Sequence, residues 1–303
     1  MSDNIINVCL STDRNYIQHA GTTIASVLEN ASSDDKLVFY ILHKSLTEKD
    51  KKPFYKLKKI KDCEFNFIVP PSMPAMELHN HAYLSEACFY RLALPDMLPG
   101  VDRIIYFDCD VIALTSLREL WQIELSNNIV AAAADYMARI KEHCRNIGLK
   151  SLTYINSGVL LIDLKKAREN NLTAELFRTA EEIKAQATFH DQDIINVTLQ
   201  DRMLILPLKW NLSTAYYKRK FDIQYYSDEE IIEAAASPAI VHFSGRRKPW
   251  SRRSCRNPYW FEYFKALKRT PWRHKYFMGV LKRIFAPVRR LEGPAATLTC
   301  SKK

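Results

Sequence analysis

RIIYFDCDVIAL, residues 103–114, decides the fold. Ile104, Ile105, Tyr106 and Phe107 make a short β-prone run, apolar on both faces, of the kind that fills the centre of a parallel sheet. It finishes in two carboxylates, Asp108 and Asp110, with only Cys109 between them. In a chain of 303 residues with 17 Asp, chance alone supplies about one Asp-x-Asp, and a second occurs at 191–193. The spacing therefore says little; its context says more. Ligands of open α/β sheets sit beyond the carboxyl ends of the strands. Carboxylates at i and i+2 of an extended chain point to the same side, so both reach one hard cation. Without a cation or a donor they would repel each other where water is scarce.

Working outward, NIINVCLST (4–12) reads as a first buried strand, followed by a polar turn and a helix from about Ala20 to Leu28. LVFYILH (37–43), a Lys-rich helix near 48–60 and CEFNFIV (63–69) continue a β-α-β-α-β alternation, the signature of a parallel, nucleotide-type sheet. Pro70, Pro71 and Pro74 open a loop, and LSEACFYRLALPDML (84–98) reads as a helix that carries Arg91. IVAAAAD (129–135) is a strand ending in Asp135. YINSGVLLIDL (154–164) is another, with Asn156-Ser157-Gly158 at its start, where glycine allows close backbone approach. A helix over 173–185 precedes FHDQDIINVTL (189–199), in which Asp191 opens a helix as its N-cap or first-turn residue. MLILPLKWN (203–211) and PAIVHFSG (238–245) close the body as strands.

Composition narrows the function classes. Hydrophobic residues make up 47%, enough for a substantial core, and with 7 Gly and no low-complexity run the chain is neither linker-rich nor disordered. Seven scattered Cys without a Cys-x-x-Cys pair suit reduced thiols in a cytoplasm better than a disulfide frame or a zinc site. The start, MSDNIINVCLS, lacks the basic and apolar regions of a signal peptide. No apolar run approaches the roughly 18 residues of a membrane-spanning helix. The net charge of +10 is unevenly spread: after residue 245 there are 17 Lys and Arg against 2 Glu, and before it 27 against 32. The protein is a mildly acidic body, expected over residues 1–250, with a strongly basic, aromatic tail over 251–303.

Polar chemistry gathers at strand ends: Asp13 and Asn15, Asp108 and Asp110, Asp135, Asn156, Asp191 and Gln192, His242. Each alone has a plain explanation, such as a turn former, a helix cap or a satisfied core histidine. Together they fall where a doubly wound sheet makes them neighbours.

At this point the motifs STDRNY (11–16), FYRLALP (89–95), IIYFDCDVI (104–112), YINSGVLLIDL (154–164), HDQDIIN (190–196) and HFSGRRKPW (242–250) stand in one order. In that order the chain resembles the family 8 glycosyltransferases, over about residues 5–260, and among them bacterial lipopolysaccharide galactosyl- and glucosyltransferases. The resemblance implies an α/β GT-A nucleotide-diphospho-sugar transferase fold, with a mostly parallel central sheet flanked by helices. It implies that Ser11, Asp13 and Asn15 meet the uracil and ribose side of a UDP-sugar. Asp108, Asp110 and His242 would hold a divalent metal, Mn²⁺ or next Mg²⁺, as two carboxylates and an imidazole suit. Gly245 and Lys248 would approach the diphosphate. Arg91, Asp135, Asn156, Asp191 and Gln192 would surround the donor sugar, with Cys109 in the donor-contacting stretch and Gln192 and Asp191 as the catalytic pair.

The family retains configuration at the sugar carbon. A carboxylate nucleophile would be sought by analogy with retaining glycosidases. The matching position is Gln192, a poor nucleophile, and same-face attack is equally compatible. The expected reaction is transfer of a hexose from UDP-galactose or UDP-glucose to a saccharide acceptor, lipopolysaccharide or another lipid-linked glycan. A glycogenin-like transferase acting on protein is the nearest enzymatic rival. Nucleic-acid binding through the basic tail is the non-enzymatic one, and it lacks any accompanying zinc-finger, homeodomain-like or RRM signature. No nucleic-acid partner is therefore expected. Around residues 274–284, Tyr276, Phe277, Val280, Leu281 and Ile284 fall at helical spacing among Lys and Arg. That pattern suits peripheral attachment to an anionic membrane surface, here the inner face of the cytoplasmic membrane.

Overall fold

The computed structural model describes residues 4–71, 86–136, 139–218, 225–251 and 255–274. Among them the strands are β1 (Ile5–Ser11), β2 (Lys36–Leu42), β3 (Cys63–Ile68), β4 (Arg103–Phe107), β5 (Val111–Ala113), β6 (Val130–Ala132), β7 (Val159–Asp163), β8 (Met203–Ile205), β9 (Leu212–Ser213) and β10 (Ile240–His242). Seven form the central sheet in the order β3-β2-β1-β4-β7-β6-β8, and β5-β10-β9 form a small second sheet.

The first half of the sheet is parallel, β2 with β1 and β3 and β1 with β4, as the strand–helix alternation predicts. Then β7 reverses, pairing antiparallel with β4 and β6. This reversal builds the site. Phe107 at the end of β4 is opposite Val159 at the start of β7, so the turn entering β7 shares an edge with the carboxylates leaving β4. The Asp108 amide donates to the Gly158 carbonyl at 2.9 Å. The small sheet brings in the last partner. β5 follows directly on Asp110, and β10 pairs antiparallel with it, placing His242 opposite Val111.

Alternation along the central strands fills two cores. Ile105 and Phe107 face the cluster under the helix Ile17–Asn30, while Ile104 and Tyr106 face the helices Leu164–Glu169, Leu172–Glu182 and Asp191–Leu199. Each large apolar side chain buried this way contributes about 1.5–3 kcal/mol. The expected helix over 48–60 is shorter than its periodicity suggested. Thr47 and Asp50 form a capping box, α-helix runs Glu48–Tyr55, and the chain then tightens to a 3-10 turn over Lys56–Lys59. Pro53 lies inside that helix and has no N–H to donate. Arg91 likewise sits in a 3-10 stretch, Glu86–Ala93, rather than a long α-helix.

The core continues past residue 250. The helix Trp260–Lys268 lies along Ile17–Asn30, with Tyr263, Phe264, Leu267 and Trp272 buried in the main cluster. His19 Nδ1 and the Tyr263 hydroxyl hydrogen-bond at 2.7 Å. The aromatic residues that open the basic tail are thus packed on the body. The amphipathic stretch from Lys275 to Ile284 is outside the described residues. Among the described residues no helix is long and apolar enough to cross a membrane, and Cys9, Cys63, Cys88, Cys109 and Cys144 form no disulfide.

Candidate active site

One cleft of about 840 Å³ opens at the carboxyl edge of β1 and β4. It gathers Ser11, Asp13, Arg91, Asp108, Cys109, Asp110, Asp135, Asn156, Asp191, Gln192, His242, Gly245 and Lys248. Of the residues singled out in the sequence, Asn15 is the exception. Its side chain is exposed, and its amide donates to Asp13 Oδ1 at 2.8 Å. Asp13 also accepts from the Tyr16 amide at 3.0 Å, so it both shapes the turn and lines the cleft. Cys109 turns away, donating its thiol to the Ser11 carbonyl at 3.1 Å. Burial holds that thiol well above its ordinary pKa.

Asp108, Asp110 and His242 form the centre, each offering an atom within 4.8 Å of the others. His242 Nε2 is 3.3 Å from Asp110 Oδ1 and 4.0 Å from Asp108 Oδ2. Its other nitrogen, Nδ1, is 3.0 Å from Asn211 Oδ1, which can only accept. Nδ1 therefore carries a proton and Nε2 faces the carboxylates, the orientation a metal-binding imidazole needs. Burial opposes ionisation of Asp110, but Lys248 and His242 outweigh it and hold the carboxyl well below the usual range. Burial also lowers His242, and Asp110 more than reverses this, so its pKa is raised. Lys248 ion-pairs with Asp110 and donates to the Phe243 carbonyl at 2.9 Å. The hairpin-like loop before it turns on Gly245, whose φ of +81° disfavours any side chain. Trp250 closes the loop by stacking on His19, 3.8 Å between ring centroids.

Gly158 is the tightest point. A methyl group there would meet His242 Cε1 at 2.3 Å and Asp108 Oδ2 at 2.9 Å. Gly158→Ala is therefore expected to push apart the three-residue cluster and, if the cluster holds a divalent metal, to weaken its binding at least about tenfold while the far side of the sheet keeps its packing. Calorimetric titration with Mn²⁺ checks this, and wild-type affinity in the variant would show that the backbone gives way instead.

Deeper in the cleft, Arg91 is buried and bridges two carboxylates, Asp108 at 2.7 Å and Asp191 at 3.1 Å. Asp191 is the first residue of its helix, as expected, behind His190. Burial raises its pKa to about 6 against the opposing pull of Arg91. Gln192 is fixed at both ends: Oε1 accepts from the Ser157 amide at 3.0 Å and Asn156 Nδ2 at 3.2 Å, and Nε2 donates to Asp135 Oδ2 at 2.9 Å. Asn156 Oδ1 accepts from Asn211 Nδ2 at 2.8 Å. A continuous network thus joins Gln192 to His242.

Three contributors escape sequence reasoning. Asn211 carries no motif; only the pairing of β9 with β10 brings it to His242. Tyr16, 38% exposed, lines the cleft beside Asp13, and its place in STDRNY was the available signal. Asp193 completes the second Asp-x-Asp, but on a helix residues two apart face opposite ways. Fully buried behind the site, it binds Tyr154 Oη at 2.5 Å, His143 Nε2 at 2.6 Å and the amides of Thr188 and Phe189 at 2.7 and 2.8 Å. Those bonds hold the turn at His190, whose φ of +48° is a sterically unfavourable conformation for a side-chain-bearing residue.

The family model for glycosyl transferase family 8 matches residues 7–254. General stress protein A of Bacillus subtilis is 28% identical over 282 residues, covering 89% of this chain and 96% of its own. A lipopolysaccharide 1,2-glucosyltransferase of Escherichia coli is 26% identical, covering 91% of this chain and 82% of its own. In fold the chain is similar to the galactosyltransferase LgtC, solved with donor and acceptor sugar analogs. The TM-score is 0.75 at 24% identity, with 89% of this chain and all of LgtC covered. A GT-A sheet, a cleft at its carboxyl edge and a family match across the whole catalytic body lead to one assignment: the chain is a glycosyltransferase and belongs to glycosyl transferase family 8.

Proposed function

We propose that this enzyme is a metal-dependent, retaining transferase that moves galactose or glucose from its UDP-sugar to a glycan acceptor, lipopolysaccharide or another lipid-linked saccharide. The observation that carries the reading is the cluster of Asp108, Asp110 and His242 with Lys248 on its rim. Its two carboxylates and one oriented imidazole fit Mn²⁺, with Mg²⁺ next. A cation held there would supply charge neutralisation for the leaving diphosphate. Lys248 adds a positive charge at the same place without any proton transfer. Tyr16 and Asp13, at the end of β1, suit the nucleoside. Arg91, Asp135, Asn156, Asp191 and Gln192 fix the hexose beyond it. Because the Gln192 amide oxygen already accepts from Ser157 and Asn156, the geometry favours orientation of the donor sugar by Gln192 over attack on it.

The decisive experiment is a donor panel, UDP-galactose, UDP-glucose and their N-acetyl counterparts, scored by UDP release with and without Mn²⁺. Release confined to one or two UDP-hexoses and dependent on Mn²⁺ is expected; indifference to donor or metal would refute the reading. Intact mass after incubation with UDP-glucose separates glycan transfer, which leaves the protein mass unchanged, from self-glucosylation.

The same reading has the enzyme work in the cytoplasm, held reversibly to the inner membrane face by the basic end of the chain. Each Lys or Arg near an anionic surface adds about 1 kcal/mol at best. Because residues up to Trp272 belong to the core, the informative truncation removes 275–303. It should release the protein from anionic liposomes with donor hydrolysis retained, whereas a truncated protein that still pellets would show the anchor lies elsewhere.

A further inference from the structure

Between residues 246 and 256 the chain carries six Lys and Arg and no acid. Lys248 has Asp110. Arg246, Arg247 and Arg256 line the same cleft and are exposed at its rim. Among the described residues no carboxylate pairs with Arg247 or Arg256. In the cleft Asp108 and Asp191 pair with Arg91 and Asp110 with Lys248, while Asp135 and Asp13 accept from neutral amides. Among the described residues the exposed rim at Arg247 and Arg256 is therefore cationic, set apart from the acids of the floor. In the proposed donor complex Lys248 and the metal cluster serve the diphosphate, which leaves Arg247 and Arg256 for the second substrate. Phe189, 44% exposed, lines that cleft next to the helix that carries Asp191 and Gln192. An exposed aromatic face takes the apolar face of a sugar ring, and guanidinium forks match the paired oxygens of phosphate or carboxylate.

We infer that the acceptor is an anionic saccharide, bearing phosphate or carboxylate, gripped by Arg247 and Arg256 with its ring against Phe189. The inference rests on the donor reading above and adds the charge class of the second substrate.

Three matched p-nitrophenyl hexosides test it as acceptors: a neutral hexoside, its 6-phosphate and the corresponding hexuronide. Both charged acceptors should show a KM about tenfold or more below the neutral one at low salt, with the gap closing as added salt screens the exposed charges. Replacing both residues, Arg247→Ala with Arg256→Ala, should erase the gap by raising the charged acceptors' KM, the KM for UDP-hexose moving less than about twofold. Arg247→Lys in the Arg256→Ala background should restore part of it. Equal KM values for all three acceptors, with UDP-hexose still hydrolysed by the wild type, would overturn the acceptor inference and leave the donor reading standing. A UDP-hexose KM that rises with the acceptor's would assign the arginines to the diphosphate, overturning it too. Lost pelleting on phosphatidylglycerol vesicles with unchanged KM values would assign them to the membrane, with the same result. A wild type that turns over no UDP-hexose, with acceptor or water, would overturn both readings together.

Discussion

Asp110→Asn and His242→Ala should each cost more than about tenfold in transfer rate, and each should weaken Mn²⁺-dependent UDP binding. On the proposed reading, either change removes a direct ligand from the set that would neutralise the leaving diphosphate. Asp110→Asn also leaves Lys248 without its counter-ion, so the Lys248 ammonium loses its fixed position. The fold should survive, because the strands flanking both positions keep their backbone pairing, Val241 with Ile112 and His242 with Val111. Circular dichroism and the thermal midpoint check the fold, and initial rates with a Mn²⁺ titration check the site. Wild-type activity that persists unchanged in EDTA would sink the metal role altogether.

Gln192→Ala should lower turnover at least about tenfold while UDP affinity changes little, the split that marks an interaction made in the transition state. Gln192 is held by Ser157, Asn156 and Asp135 and is remote in sequence and contact from the Asp13–Tyr16 turn. Truncation frees the Asp135 carboxylate and the Asn156 amide to move, so the donor hexose would lose its fixed orientation. An unchanged turnover with much weaker UDP binding would place the side chain on the nucleotide instead.

The central strand and the placement of the carboxylates at its end were legible because both follow local rules. RIIYF alternates between two apolar faces, and Asp108 and Asp110 leave its carboxyl edge, whichever fold surrounds them. Asp191 at a helix start and Gly158 at a tight approach were legible for the same reason. What sequence could not convey depended on strand order. The reversal of β7 and the insertion of β10 beside β5 turn distant segments into neighbours, and neither leaves a periodicity to read. Asn211 and Asp193 took their roles from those neighbours. The opening of the tail was ambiguous on physical grounds: an aromatic, amphipathic helix suits a lipid interface and a protein groove equally well. In the structure Tyr263, Phe264 and Trp272 occupy a groove on the body, Trp272 so close to Gly21 that a side chain there would collide with it.

The cluster draws on both ends of the catalytic body, Asp108 and Asp110 from the end of β4 and His242 from β10, the last strand to join. During synthesis the Asp13–Tyr16 turn and both carboxylates emerge first, and the imidazole and Lys248 only after the intervening strands have been made. Pairings this distant in sequence close late in folding. On the proposed reading, a ribosome-bound or prematurely ended chain lacking β10 would have both carboxylates but neither His242 nor Lys248 to serve the leaving diphosphate.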